Sequence, residues 1–192
     1  MANADFPRGL IPVRNAAGGV YNCALRAYTA RSDYATALFV GDPVVKSGLA
    51  DANGRPGIIL ATAGATNPIT GVVVGFEDGP SLSLGYGAAS TQRTVLVADD
   101  PDLLFEIQED AGGATTALAD IGLNVDLIAA AGSTTTRTSG WMVDSSTKAA
   151  GATLQLKIVG FQERPDVEPA VAKSKLLVKI NLHTEAANTA GL

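Results

Sequence analysis

Ile69-Thr70-Gly71-Val72-Val73-Val74-Gly75-Phe76-Glu77 decides the fold class. The run is too short for a helix and is rich in β-branched residues, so it reads as a strand. Strict alternation sets Val72, Val74 and Phe76 on one face against Val73, Gly75 and Glu77 on the other. Both faces are largely apolar, which is the pattern of an interior strand between two packed layers.

Similar short runs lie on both sides of it. Thr94–Ala98 and Leu103–Gln108 flank the turn Asp99-Asp100-Pro101-Asp102. In the second of these runs Leu103, Phe105 and Ile107 face one way, and Leu104, Glu106 and Gln108 the other. Leu154, Leu156 and Ile158 alternate with Gln155, Lys157 and Val159. Leu176, Val178, Ile180 and Leu182 alternate with Lys175, Leu177, Lys179 and Asn181. Further strands are expected over Val20–Ala30, with Tyr21, Cys23, Leu25 and Ala27 on one face, and at Ala37–Val40, Val44–Val45, Ile58–Ala61 and Val125–Ile128. Ala117–Ile121 reads as a single helical turn. The 21 Gly and 9 Pro punctuate these runs every ten to fifteen residues or so, the spacing of an all-β sandwich or barrel. No segment supports a helix of three or more turns, and no internal repeat is found.

The expected architecture is therefore all-β, a single compact β-barrel or sandwich of jelly-roll or β-tulip type, with an extended N-terminal arm. Residues 1–19 form the arm, 20–184 the β domain and 185–192 a loose tail. A Gly/Ser-rich loop is expected over 78–90. In the arm, Pro7 and Pro12 forbid a regular helix. Phe6, Leu10, Ile11 and Val13 stand there beside Arg8 and Arg14. These apolar side chains need cover, either from a partner surface or from the arm's own domain.

Composition narrows the function. The 192 residues carry 14 Lys and Arg against 19 Asp and Glu, a formal net charge of −5. Each contact with a nucleic-acid phosphate calls for a basic residue, so nucleic acid is a poor partner. One Cys and one His exclude a disulfide framework and a Cys/His zinc site within one chain. No window approaches the roughly 18 apolar residues of a membrane span, and the polar start lacks a signal-peptide core. These features are expected of a soluble product made in a cytoplasm, with no membrane partner.

The chemical motifs are weak. Ser145-Ser146-Thr147-Lys148 matches a Ser-x-x-Lys pattern, but Ser32-Asp33 and Lys46-Ser47-Gly48 stand in the wrong order to complete that enzyme signature. The acidic run Asp99, Asp100, Asp102, Glu106, Glu109 and Asp110 contains Pro101 where a calcium loop needs alternating ligands, so it reads as a solvated turn and the polar end of a strand. Gly85-Tyr86-Gly87 lacks the third Gly and the helix of a dinucleotide site. His183 reads as structural or exposed, Cys23 as a buried inert thiol, and Trp141 as core or partner contact. No catalytic residue, cofactor or metal is expected.

Several segments together resemble the capsid decoration, or cement, proteins of tailed phages. They are Gly9-Leu10-Ile11-Pro12-Val13-Arg14, Tyr34-Ala35-Thr36-Ala37-Leu38-Phe39-Val40-Gly41-Asp42-Pro43-Val44 and Ile69-Thr70-Gly71-Val72-Val73-Val74-Gly75-Phe76. Ala98-Asp99-Asp100-Pro101 with Phe105-Glu106-Ile107-Gln108, Arg164-Pro165-Asp166, and Val178-Lys179-Ile180-Asn181-Leu182-His183 complete the set. The resemblance implies a non-catalytic virion protein on the capsid exterior. Its partners would be the major capsid protein and neighbouring copies of itself, as a homodimer or homotrimer. The capsid-binding arm would use Phe6, Arg8, Leu10, Ile11, Val13 and Arg14. Another virion component (tail tube or head–tail joining) and a receptor- or carbohydrate-binding module are the alternatives.

Overall fold

The computed structural model describes residues 3–77 and 84–186. Part of the 78–90 loop (78–83) and all but the first two residues of the 185–192 tail lie outside the described residues. The chain is all-β. Its strands are β1 (Ile11–Asn15), β2 (Arg26–Ala30), β3 (Pro43–Ala50), β4 (Pro56–Leu60), β5 (Gly71–Glu77) and β6 (Arg93–Ala98). They continue with β7 (Leu103–Gln108), β8 (Asn124–Val125), β9 (Leu127–Ile128), β10 (Met142–Val143), β11 (Leu156–Phe161) and β12 (Lys175–Ile180). Leu118–Asp120 forms one 3₁₀ turn, within the stretch expected to hold a helical turn.

The expected single barrel or sandwich resolves into two sheets side by side. Strands β2-β4-β3-β5-β6 close a small barrel, and β1-β7-β12-β11-β8 form an antiparallel sheet, with β9 and β10 as a short ribbon. Closure leaves the barrel no free edge. Its core holds Tyr28, Leu38, Val44, Ile58, Val73, Val95 and Val97. A second core, between barrel and sheet, holds Leu10, Val72, Ala98, Leu103, Phe105, Ile107, Trp141, Leu156, Ile158, Leu176, Val178 and Ile180. Burying each large side chain of this set contributes roughly 1.5–3 kcal/mol.

Strand β5 supplies both cores, as the two apolar faces of its sequence require. Val72 points to the sheet-side core and Val73 into the barrel. The alternation then breaks. Val73 pairs with Val97, but Gly75 pairs with Leu96 and Phe76 with Val95, so one extra residue is inserted on β5. Phe76 thereby joins the barrel face with Val73 instead of the face of Val72. This corrects the face expected from strict alternation: a β-bulge reverses parity, and a glycine within a strand is its usual mark. A second bulge, between Ile158 and Gly160 on β11, brings Phe161 opposite Leu176 and leaves Val159 exposed.

Four other expectations change. The N-terminal segment folds back onto its own chain: Ile11–Asn15 is the edge strand β1, paired antiparallel with β7, and Leu10 is only 1% exposed in the sheet-side core. The strand expected from Val20 begins at Arg26. Cys23 is exposed, in a left-handed conformation with φ of 58°, so it is not the buried thiol its apolar neighbours suggested. Ala37–Val40 makes only isolated bridges, Leu38 with Gly87 and Val40 with Thr138.

The seam between the sheets is polar where it must be. Gln155 is fully buried with its amide satisfied on every side. Its Oε1 accepts from the Gly64 and Leu127 amides, and its Nε2 donates to the Thr62 and Asn67 carbonyls at 2.8 and 3.0 Å. That bonding fixes the β4–β5 connection to the start of β11.

Candidate docking face

Pairing register defines what the five-stranded sheet shows on its outer side. Glu106 lies opposite Ile11 on β1 and Leu177 on β12, while Gln108 lies opposite Lys175. Residues directly opposite in a sheet share a face. Glu106, Gln108, Leu104 and Leu177 are all buried even though this face is turned away from the core. Two chain segments provide much of the cover, and both are held by polar groups.

The first is the N-terminal segment. The Asn3 side chain donates to the Glu168 carbonyl (2.9 Å) and accepts from the Glu168 amide (2.8 Å). Asp5 accepts from Lys173 (2.7 Å) and from the Gln108 amide (3.0 Å), and the Lys173 hydrogen bond holds its carboxyl below the usual range. The Phe6 amide donates to Gln108 Oε1 at 3.0 Å. Arg8 reaches Glu106 at 3.4 Å, and its guanidinium sits 5.9 Å from the Phe6 ring. The second segment, between β11 and β12, sends Arg164 to the other oxygen of Glu106 at 3.1 Å. One buried carboxylate thus joins two segments that cross the sheet.

The crossing at Gly9 is different in kind. Gly9 and Gly41 have φ of 67° and 93°, and a Cβ on Gly41 would meet the Arg8 carbonyl oxygen at 2.0 Å. Only glycine tolerates both the conformation and the approach. The Leu10 amide donates to the Gly41 carbonyl at 2.9 Å. Beside it, Asp42 accepts from the Phe39 amide at 2.8 Å, is hydrogen-bonded to Ser139, and has no cation partner among the described residues. Burial pushes its carboxyl up to about 6.

The six expected arm residues are therefore divided. Phe6 is 49% exposed and, with Arg8 and Ile11, borders a crevice that also involves Glu106 and Gln108. Leu10 is withdrawn into the core. Val13 is the extra residue of the β1 bulge, and Arg14 is exposed opposite Leu104. Sequence reasoning missed Asn3, Glu106, Gln108, Arg164 and Lys173 as the fastenings of this segment. The available signal was the placing of Glu106 and Gln108 inside a strand otherwise apolar on both faces.

The remaining motifs take structural positions. The Ser145 hydroxyl donates to Asp110 at 2.6 Å, while Lys148 donates to the Ala114 and Thr115 carbonyls and pairs with Asp120 at 2.9 Å. Glu109, expected at a solvated strand end, is fully buried and accepts from the Thr116 amide. Trp141 fills the core. His183 is 1% exposed, and its Nδ1 accepts from the Glu185 amide at 3.0 Å. Among the described residues no group of three or more His, Cys, Asp or Glu could hold a metal ion, and no helix is long and apolar enough to cross a membrane.

Comparison of the chain with known protein families, with curated proteins and with solved structures returns no match.

Proposed function

We propose that this chain is a structural protein of a tailed-phage particle. It binds the outer surface of the capsid and stabilises the expanded shell by bridging subunits of the major capsid protein. The sequence resemblance supplies the family. The observation that carries the reading to this molecule is the outer segment at residues 3–8: it is fastened by polar bonds and presents a half-exposed Phe6 beside Arg8. An aromatic and an arginine side by side are the residue types that dominate protein interfaces. A net charge of −5 suits a place outside the shell, away from packaged nucleic acid. Many weak copies on one lattice act together, so modest contacts per copy suffice.

The test leaves the fold intact. Truncation through residue 14 would remove most of β1 and the core residue Leu10, so point substitutions are the cleaner probe. Phe6→Ala combined with Arg8→Ala should bind expanded capsids at least roughly tenfold more weakly while its thermal midpoint changes by only a few degrees. Equal decoration by the variant, or purified protein that assembles into tubes and ignores capsids, would overturn the proposal.

A further inference from the structure

One end of the outer sheet face carries a row of basic side chains around the buried Leu104, and its charge is unlike that of the acidic chain as a whole. Register places Arg14, Leu104, Lys179 and Lys157 in one row across β1, β7, β12 and β11. Lys157 and Lys179 are directly opposite each other, an arrangement that destabilises a sheet unless something answers the charge. Asp102 answers Lys179 at 2.6 Å. Lys157 is exposed and has no ion pair among the described residues.

Both lysines border a cavity of about 510 Å³, which Asp102, Asn181 and His183 also line. That volume is within the ordinary range for small-ligand sites. Because Nδ1 of His183 accepts from the Glu185 amide, the ring proton belongs on Nε2. Burial keeps the imidazole neutral, so Nε2–H is a donor, and this buried group has no hydrogen-bond partner among the described residues. A buried donor without an acceptor is uncommon in a folded protein. The acids around His183 are already engaged: Asp99 by Arg26 (3.0 Å) and Tyr28 (2.7 Å), Asp100 by the Asp102 amide and Asn15, and Glu185 by Lys46.

The geometry points to a carboxylate-binding site at this end of the sheet, built by Lys157, Lys179 and the Nε2–H of His183. Among the side chains that line the cavity, two lysines stand against one aspartate, and this single surplus positive charge matches one carboxylate. A planar carboxylate also has two oxygens to share between an ammonium and an imidazole donor. The group could be borne by an acidic side chain of a protein partner or by a free carboxylic acid. The site stands independently of the capsid reading.

Titration of the full chain, with its histidine nitrogen-15 labelled, tests the assignment. Acetate or a short glutamate-rich peptide should shift the His183 Nε2 resonance saturably. Lys157→Gln should raise the apparent Kd about tenfold, as loss of one charge-assisted hydrogen bond implies. Lys179→Gln should act in the same direction and guards against a local effect of the first variant. Tighter binding of the peptide assigns the carboxylate to a protein partner, and equal or tighter binding of acetate assigns it to a free acid. No saturable shift with either probe, an unchanged Kd in both variants, or preference for inorganic phosphate would overturn the site.

Discussion

The two faces of the five-stranded sheet are made by the same strands and obey different rules. On the inner face Phe105, Leu156, Ile158, Leu176 and Val178 are fully buried against the barrel, with no polar side chain among them. On the outer face the next residues along, Glu106, Gln108 and Leu177, are almost as inaccessible, yet they are buried beneath segments fastened by ion pairs and amide bonds. The inner face draws its stability from apolar area. The outer face uses polar contacts, each worth far less, that can be opened one at a time. Equal burial therefore does not mean equal stability.

The largest expected effect is on the inner face. Phe105→Ala should lower the unfolding free energy by about 3–5 kcal/mol in a denaturant titration. A cost below about 1 kcal/mol would mean that the inner face is not a packed core.

Next come the buried carboxylates, which separate charge with a cation from charge without one. Glu106 has Arg8 and Arg164, whereas Asp42 has, among the described residues, only neutral donors. The Asp42 carboxyl is raised to about 6 in the fold, against about 3.9 in an unfolded chain. The folded state thus holds the proton more tightly. The contribution of this group to stability is greatest below about pH 4 and is lost as pH rises through about 6, by up to about 3 kcal/mol. Asp42→Asn does not titrate, so its stability relative to the parent should improve over that window. A difference that stays flat from pH 4 to pH 7 would show that this carboxyl keeps its ordinary affinity for protons.

The smallest effect is on the outer face. Glu106→Gln should cost about 1–2 kcal/mol globally. Amide hydrogen exchange should quicken at Phe6 much more than at Leu10, whose amide bonds to Gly41 at the crossing. Equal quickening at both would mean that the whole N-terminal segment opens as one piece.

Much of this fold was legible because periodicity reports burial. Val72 and Val73 stand adjacent and both apolar, and they enter two different cores. Alternation likewise identified Leu103, Phe105 and Ile107 as one face. What periodicity does not report is a change of phase, and the bulge before Gly75 carried Phe76 to the opposite side. Long-range cover was also hidden. Glu106 looks like a solvated residue until Arg8 and Arg164, far away in sequence, are seen beside it. Cys23 misled for a related reason: its apolar neighbours suggested a strand, whereas its positive φ belongs to a turn. Within the segment expected as an arm, nothing local showed that Ile11–Asn15 would become β1.

The Gly9–Gly41 crossing gives the molecule a mechanical stop. Tension applied at residue 3 would peel the Asn3, Asp5 and Phe6 fastenings in succession, each giving way at low force. At Gly9 the load would meet a backbone wedged against another backbone, with the β1–β7 ladder behind it loaded in shear. A tether attached at residue 3 could thus free the six residues 3–8, roughly 20 Å of reach, before the packed interior felt any strain.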